Sequence, residues 1–309
     1  MPLSHSVLQQ SLEQLGKVVL GKESQLKLAM ACLLAKGHLL IEDLPGMGKT
    51  TLAHALAAVL GLQYQRVQFT SDMLPADLLG VSVFDAQNSR FDFHPGPIFT
   101  QLLLADEINR STPKTQSALL EAMEEGQVSI EGETRPLPKP FFVLATQNPV
   151  HQSGTFPLPE SQLDRFLMRI SLGYPSAAAE RLLLKGVNPR EFLKSLQATM
   201  SLEQLAELQA KASEVHISDH VLDYIQRLVQ FSRDYEGFSY GISPRGALAL
   251  VSAAKAWALV EGREHLLPED VQAVMPAVME HRLRASSHAA GQGQALVDVV
   301  INAVDVLQG

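Results

Sequence analysis

The chain has 309 residues, and at about 150 residues per domain this length predicts two domains. Hydrophobic residues make up 46% and charged residues 19%, which is typical of globular proteins and excludes a disordered chain. The net charge of −8 disfavours a protein that coats nucleic acid or an anionic membrane through bulk charge, and the single cysteine, Cys32, excludes an intramolecular disulfide and favours a reducing compartment.

The N-terminus and the apolar stretches predict neither export nor a membrane span. Residues 1–20 lack the basic start and apolar core of a signal peptide. The apolar stretch at 28–35 is short, and the one at 246–260 is interrupted by Lys255, whereas a membrane span needs about 20 predominantly apolar residues. We therefore expect buried helices and a cytoplasmic protein.

Short apolar runs alternate with helical patterns through the first half of the chain. Continuous apolar runs of this length between helices are typical of a parallel sheet covered by helices on both faces. The first half is therefore predicted to be an α/β domain. Strands are predicted at 38–42, 65–69, 98–105, 140–146 and 166–172, and helices at 51–60 and 111–125.

Two segments of alternating residues interrupt this pattern. Residues 83–93 alternate around an Asn-Ser turn, and residues 127–137 flank a Glu-Gly-Glu turn. Both are predicted to be β-hairpins, although a minimal α/β domain needs neither. Two interpretations stay open: the hairpins are additions without a function, or they are arms that contact another molecule.

After Tyr174 and Pro175 the strand signal disappears. The sequence Ser201–Gln204 predicts a helix capping box, and Pro268–Asp270 predicts another helix start. The second half is therefore predicted to be all-helical, and the boundary is expected near residues 174–190. The predicted division is a core at 1–175, a linker at 176–190 and a helical domain at 191–309.

A glycine-rich turn at 42–51 follows the first predicted strand and precedes a helix. Glycines let successive backbone N–H groups surround phosphates, Lys49 would reach the β- and γ-phosphates, and the Thr50 hydroxyl would bind Mg²⁺. The usual pattern has a further glycine at the position of Asp43, so a chance match stays open. The candidate contacts are Pro45, Gly46, Met47, Gly48, Lys49, Thr50 and Thr51.

Polar residues end two further apolar strands. Asp106 and Glu107 follow Leu102–Ala105, and Asn148 follows the strand at 140–146. Asp106 would support Mg²⁺, Glu107 would polarise an attacking water, and the Asn148 amide would orient it. Acids at a strand end also occur where a strand simply meets solvent. The combination is more specific, because ligands gather at the carboxyl ends of parallel strands.

Arginines are expected near a departing phosphate, because positive charge stabilises phosphoryl transfer. Arg165 precedes the last predicted strand of the first half. Arg245 follows Ser243 and Pro244 in the first turn of a helix, where a positive charge opposes the helix dipole. Breaking this local rule indicates a functional role, although a solvated surface arginine is the simpler interpretation. Arg110 is a weaker third candidate.

Six segments together resemble the MoxR family of AAA+ ATPases. They occur in the order found in the family and extend from the phosphate loop into the second half of the chain. Together they are far more specific than a phosphate loop alone. The segments are EDLPGMGKT (42–50), FTSDMLPADLLG (69–80), LLLADEINR (102–110), ATQNP (145–149), ESQLDRF (160–166) and GISPR (241–245).

The resemblance implies a P-loop AAA+ αβα core with a parallel sheet, followed by a small all-helical lid domain. It also implies that the protein binds ATP and Mg²⁺ and assembles into a hexameric ring. By position, the phosphate loop corresponds to Walker A, with Lys49 and Thr50. Asp106 and Glu107 correspond to Walker B, and Asn148 corresponds to sensor 1.

The resemblance also suggests roles for residues outside these motifs. Arg165 resembles the arginine finger, which reaches the ATP of a neighbouring subunit, and Arg245 resembles sensor 2, which links lid position to nucleotide state. Leu20 and Gly21 resemble the segment beside the adenine, and Lys22 stands where relatives often have glutamine. The two hairpins match family inserts that face the ring pore or the client.

The implied function is chaperone-like remodelling, assembly or metal-cofactor maturation of a client protein, typically with a separate partner that bears a von Willebrand factor A domain. A nucleic-acid remodelling motor or loader stays open, although the acidic composition disfavours it. A scaffold that binds nucleotide without hydrolysing it is disfavoured by the intact set of Asp106, Glu107 and Asn148. A motor subunit like that of magnesium chelatase is a near relative that could share the same mechanics.

Overall fold

The computed structural model describes residues 3–148, 154–286 and 295–306, and Pro149 of the ATQNP segment lies outside them. Helices and strands alternate through the first half, and a 3-10 turn follows the fifth strand. The elements are α1 (Leu3–Val18), α2 (Glu23–Leu34), β1 (Leu39–Glu42), α3 (Lys49–Val59), β2 (Tyr64–Gln68), α4 (Pro75–Leu79), β3 (Gly80–Asp85), β4 (Arg90–Pro95), β5 (Leu102–Asp106), α5 (Pro113–Glu125), β6 (Gln127–Ile130), β7 (Glu133–Pro136), β8 (Phe142–Gln147), α6 (Glu160–Leu163) and β9 (Met168–Ile170).

The central sheet contains five strands in the order β2-β5-β8-β1-β9, and each strand is parallel to its neighbours. Leu144 at the middle of β8 pairs with Leu39 of β1 on one side and with Leu104 of β5 on the other. The carboxyl ends of β5, β8 and β1 therefore lie side by side. This edge is where parallel α/β sheets bind their ligands.

Side chains of the central strands alternate between two hydrophobic clusters, one on each face of the sheet. Leu39 and Ile41 of β1 pack into the cluster that contains α2 and α3, whereas Leu40 packs into the cluster that contains α5. All three leucine and isoleucine side chains are fully buried. Burial on both faces explains the continuous apolar runs in the sequence, and the predicted α/β fold is confirmed.

Two antiparallel hairpins, β3–β4 and β6–β7, form separate two-stranded sheets beside the central sheet. They lie where the alternating residues predict hairpins, at 83–93 and 127–137. In the first hairpin Phe84 pairs with Phe91, and their ring centroids are 5.2 Å apart. The guanidinium of Arg135 on β7 lies 4.0 Å from the ring centroid of Phe93 on β4, so a cation–π contact joins the two hairpins.

Helices dominate the second half of the chain. The predicted capping box is present, since Ser201 accepts a hydrogen bond from the Gln204 N–H and Gln204 accepts one from the Ser201 N–H. The elements are α7 (Ala177–Leu184), α8 (Pro189–Ser195), α9 (Leu202–Glu214), α10 (Asp219–Asp234), β10 (Phe238–Tyr240), α11 (Pro244–Val260), α12 (Pro268–Met279), β11 (Arg284–Ala285) and α13 (Leu296–Ala303).

The second half also contains a short strand pair that the sequence does not predict. Strands β10 and β11 are antiparallel partners, and Phe238 lies opposite Ala285. With three and two residues, these strands are too short to produce a recognisable alternation of polar and apolar positions. The lid is therefore a helical unit with one small β-ribbon.

The hydrophobic core is continuous between the two halves. Helix α11 packs against α2 and α9, and one cluster contains Leu39 of the sheet together with Leu250 and Val271 of the lid. The predicted linker at 176–190 contains α7 and the start of α8, which packs against α1 and α3. The exact domain limits stay a prediction, because this shared core gives no sharp border. In the described ranges, no helix is both long and apolar enough to cross a membrane.

Candidate active site

The turn between β1 and α3 has the backbone shape of a phosphate-binding loop. Gly46 and Gly48 have φ angles of 86° and 92°, values that residues other than glycine rarely adopt. A Cβ placed on either residue would meet no other atom within 4 Å, so the loop borders open space. Helix α3 begins at Lys49, and its N-terminal N–H groups face that space with partial positive charge.

The Lys49 side chain lies along the inside of this loop. Its ammonium donates hydrogen bonds to the Asp43 carbonyl oxygen at 2.7 Å and to Asn148 Oδ1 at 3.3 Å. Burial lowers the pKa of Lys49, whereas the charges of Asp43, Asp106 and Glu107 act in the opposite direction. A partly desolvated ammonium at this position is suited to interact with phosphate oxygens.

Asp43, which departs from the usual loop pattern, fastens the loop to the edge of the sheet. Its buried carboxylate accepts hydrogen bonds from the N–H groups of Leu172 and Gly173, the latter at 3.1 Å, and from the Ser171 hydroxyl at 3.2 Å. A glycine could make none of these contacts. The departure from the pattern therefore gives the loop an additional anchor beyond β9.

The Asp106 carboxylate lies at the end of β5 and is only 7% exposed. The Thr146 hydroxyl donates to Asp106 Oδ1 at 2.6 Å, and the Arg66 guanidinium contacts Asp106 Oδ2 at 2.7 Å. Carboxylate and hydroxyl oxygens such as those of Asp106 and Thr50 are ligands that Mg²⁺ prefers. In the described parts of the chain, no cluster of three or more His, Cys, Asp or Glu could hold a metal, so a cation here would need phosphate oxygens as well.

Glu107 has a left-handed backbone, with a φ of 56°, which is uncommon for a residue other than glycine. The Thr146 hydroxyl accepts a hydrogen bond from the Glu107 N–H at 2.8 Å, and this bond holds the backbone conformation of Glu107. Gln68 Nε2 donates to Glu107 Oε2 at 3.0 Å, and Arg110 Nε approaches the same oxygen at 2.7 Å. The strained backbone and these donors fix the direction of the carboxylate.

Asn148 joins the phosphate loop to the acids. Its Oδ1 atom accepts from Lys49, and its Nδ2 atom donates to Glu107 Oε1 at 3.2 Å. This contact is possible because β8, which precedes Asn148, lies between β1 and β5. The structure therefore brings together the groups that the sequence predicts at three separate strand ends.

The segment that resembles an adenine-binding region lies beside the loop. A cavity of about 220 Å³ is lined by Leu20, Gly46, Gly48 and Thr51, among others. Gly21 approaches Ser176 so closely that a Cβ would lie 3.0 Å from the Ser176 hydroxyl oxygen. Lys22 donates a hydrogen bond to the Tyr174 carbonyl at 2.6 Å, so its ammonium contacts another part of this chain.

The two principal arginine candidates meet at one carboxylate. Arg165 lies 3.1 Å from Glu124 Oε2, and Arg245 lies 3.4 Å from Glu124 Oε1. Ser243 caps α11 as predicted, since its hydroxyl accepts from the Gly246 N–H at 3.0 Å. Among the ion pairs between described residues, neither arginine pairs with Asp106 or Glu107, whereas Arg110 does contact Glu107.

Four residues at this site are absent from the sequence predictions: Arg66, Gln68, Thr146 and Glu124. Arg66 and Gln68 are two residues apart on β2, so they share a face of the strand. This alternation is the sequence pattern that could have drawn attention to them. It marks them only as polar and exposed. No sequence signal pairs either one with an acid about forty residues away.

Comparisons with known proteins agree with this geometry. A family model described as "ATPase family associated with various cellular activities (AAA)" matches residues 38–168, and an AAA lid domain model matches residues 230–300. Chaperone MoxR1 of Mycobacterium tuberculosis is 39% identical over 308 residues, which cover 96% of this chain and 80% of that protein. The protein YeaC of Bacillus subtilis is 44% identical over 305 residues, which cover 98% and 95%.

A solved structure is similar over almost the whole length. The crystal structure of a candidate ATPase from Cytophaga hutchinsonii has a TM-score of 0.89 at 36% identity, covering 98% of this chain and 95% of that chain. The match therefore includes both the core and the lid, and the resemblance carried by the six sequence segments is confirmed. The chain belongs to the MoxR family of AAA+ ATPases.

Proposed function

We propose that this protein hydrolyses ATP with Mg²⁺ and uses the energy to remodel a client protein. The observation that carries the proposal is the meeting of Lys49, Glu107 and Asn148 at adjacent strand ends, with Asn148 in contact with both. A structural strand end has no need for an ammonium, an amide and a carboxylate in one chain of contacts. Phosphoryl transfer uses such groups to hold the phosphates and to position or activate the nucleophile.

The phosphate loop binds the nucleotide in this proposal. The N–H groups of residues 46–51 surround the phosphates, and Lys49 contacts the β- and γ-phosphates. Bound Mg²⁺ neutralises charge on the phosphate oxygens, and Thr50 and Asp106 are the residues that would hold it. The adenine would lie in the cavity that Leu20 lines, while Gly21, the next residue, packs against Ser176.

Glu107 acts on the attacking water. Its carboxylate accepts a hydrogen bond from the water and withdraws a proton as the water attacks, while the Asn148 amide orients it. Gln68 and Arg110 both contact Glu107 Oε2, so Oε1 is the oxygen that faces Asn148 and the loop. We expect Oε1 to be the atom that receives the proton.

Arg165 and Arg245 act on the ATP of a neighbouring subunit in a ring, for which a hexamer is proposed. Their shared contact with Glu124, and their pairing with neither acid at the strand ends, support this placement. Their charge would compensate negative charge on the departing phosphate. Because Arg245 lies in the first turn of a lid helix, its position reports how the lid is oriented.

The first hairpin is the proposed client contact. Phe84 and Phe91 are 54% and 69% exposed, and a pair of exposed aromatic rings is costly unless a partner covers it. The Arg135–Phe93 contact joins this hairpin to the second one, so both would move together. A separate cytoplasmic protein with a von Willebrand factor A domain is proposed as a partner, on the strength of the family resemblance alone.

The hydrolysis step is tested with Glu107→Gln. Removing the base should lower the ATPase rate by at least about a hundredfold while a fluorescent ATP analogue still binds. Glu121→Gln is the matched control, because Glu121 is an exposed carboxylate on α5. A Glu107→Gln protein that hydrolyses ATP as fast as the wild type would refute the proposed base.

The action across an interface is tested by mixing variants. Lys49→Ala subunits cannot bind ATP productively but keep their arginines, whereas Arg165→Ala subunits keep the phosphate loop. Mixing them should restore ATPase activity at the mixed interfaces. No recovery at any ratio would count against action between subunits.

The client is sought by capture with Glu107→Gln in the presence of ATP, because a ring that binds ATP without hydrolysing it should retain its client. A second preparation that also carries Phe84→Ser and Phe91→Ser is the comparison. The captured protein should be lost from that preparation. Equal capture by both would exclude the first hairpin as the contact.

A further inference from the structure

A buried arginine of the lid is bound to the segment of the core that carries Arg165. Arg282 follows α12, and its side chain is only 5% exposed. Its Nε atom donates to Asp164 Oδ1 at 2.6 Å, and its Nη2 atom donates to the carbonyl oxygens of Asp164 at 3.1 Å and Phe166 at 2.8 Å. Nη1 donates to the Leu167 carbonyl at 3.2 Å and to that of Val278.

Only a guanidinium fits this set of acceptors. Its donors lie in one plane, and here they reach a carboxylate and four carbonyl oxygens at once, which a lysine ammonium with three donors cannot match. Burial lowers the pKa of Arg282, whereas its hydrogen bond and charge interaction with Asp164 oppose that change. A buried cation is retained only when it is paired and hydrogen-bonded, so the arrangement is specific for arginine.

These contacts fix the backbone on both sides of Arg165. The carbonyls of Asp164 and Phe166 are both bound by the same Nη2 atom, and Arg165 lies between them. Together with local bonds such as that from the Arg165 N–H to the Gln162 carbonyl, a residue more than one hundred positions later in the chain therefore holds the backbone on both sides of Arg165.

Arg282 also lies against the start of the helix that carries Arg245. A Cβ on Gly246 would lie 3.1 Å from Arg282 Cδ, so the absent side chain of Gly246 leaves the space for Arg282 to pass. The positive charge of Arg245 contributes to the lowered pKa of Arg282. One side chain thus touches the neighbours of both candidate trans-acting arginines.

We infer that Arg282 is a positioning residue that makes Arg165 and Arg245 a single unit, so that movement of the lid and placement of both arginines on the neighbouring ATP occur together. The inference rests on the proposed function of the two arginines. Arg282 acts only through the segment 164–167 and the first turn of α11.

The test uses the full chain with Arg282→Lys. We expect the ATPase rate to fall at least tenfold, while the affinity for a fluorescent ATP analogue changes less than twofold, because each subunit's own loop is intact. Mixing with Lys49→Ala should restore activity, since the arginines of the Lys49→Ala subunits serve the ATP of the Arg282→Lys subunits. A defect in the subunit's own site would not be restored by mixing.

Two controls make every outcome decisive. Arg284→Lys changes a 63% exposed arginine two residues away that pairs with Glu160, and it should leave the ATPase rate unchanged. If thermal unfolding shows that Arg282→Lys does not fold, Asp164→Asn takes its place, because it keeps the size of the side chain and removes the charge that pairs with Arg282. Asp164→Asn should also lower the ATPase rate and should also recover on mixing with Lys49→Ala. A normal rate in the folded variant, or no recovery on mixing, overturns the inference.

The mixture of Arg165→Ala with Lys49→Ala separates this inference from the proposed function. If that mixture does not recover, action across the interface is wrong. If it recovers and the mixture with Arg282→Lys does not, only the positioning role is wrong. As a further check, adding Arg282→Lys to a variant that already carries Arg165→Ala and Arg245→Ala should slow it no further, whereas independent effects would multiply.

Discussion

Replacing Asp43 by glycine restores the usual phosphate-loop pattern, yet it should weaken the protein. The carboxylate accepts three hydrogen bonds, two of them from backbone N–H groups of Leu172 and Gly173. A hydrogen bond to a charged group is worth about 1.5–3 kcal/mol, and a buried donor left without a partner costs a similar amount. Since the loop is partly open to water, we expect a loss of about 3 kcal/mol in the free energy of unfolding.

The assay is urea unfolding together with nucleotide binding. The midpoint should fall with no change in the m-value, because the same surface is exposed on unfolding. Affinity for a fluorescent ATP analogue should fall too, because the loop loses its attachment to residues 171–173. Asp43→Asn is the matched control, since it keeps an acceptor oxygen without the charge and should lose about half as much. A glycine variant within about 0.5 kcal/mol of the wild type would refute the reasoning.

Three further predictions concern the stability of the protein at low pH, the hydrogen bond to Asp106, and the exposed rings of the first hairpin. Burial lowers the pKa of His38 to about 4, so the unfolded state binds a proton more readily than the folded state. The free energy of unfolding should therefore fall by about 3 kcal/mol as the pH drops from about 6.5 to about 4. Urea unfolding of His38→Gln should show a weaker dependence of stability on pH over this range. Thr146→Val leaves Asp106 without its hydroxyl donor, so the free energy of unfolding measured in urea should fall by about 2 kcal/mol. The variant should also need a higher Mg²⁺ concentration for nucleotide binding. Replacing Phe84 and Phe91 by serine should change the thermal unfolding temperature little, because both rings are exposed, and should leave basal ATPase activity unchanged.

The groups that perform the proposed chemistry could be predicted from the sequence because each one follows the carboxyl end of a strand, directly or through the phosphate loop. Lys49, Glu107 and Asn148 follow apolar runs whose order and length identify a parallel sheet, and the carboxyl ends of such strands share an edge. What could not be predicted is which strands are neighbours. The position of β8 between β1 and β5 is what allows Asn148 to touch both other residues.

The contacts that hold these groups could not be predicted for a different reason. Asp43 finds its partners about 130 residues later, and Glu124 is one of several exposed acids near the end of α5. Their local sequence contains no signal, because the choice of partner depends on which side chains the tertiary fold brings within a few ångströms. The same limit applies to the short ribbon of β10 and β11, whose strands are too short for a periodic pattern.

The paired charges also change how the net charge of −8 should be understood. In this structure Arg66, Arg110, Arg165 and Arg245 each pair with a carboxylate of the same chain. A phosphate group that engages Arg165 or Arg245 must therefore displace Glu124, and a cation at Asp106 must compete with Arg66. Since exposed ion pairs are weak, about 0–1 kcal/mol each, the arginines can exchange a carboxylate for a phosphate at little cost. Glu124 is thus the partner that a phosphate would displace at Arg165 or Arg245.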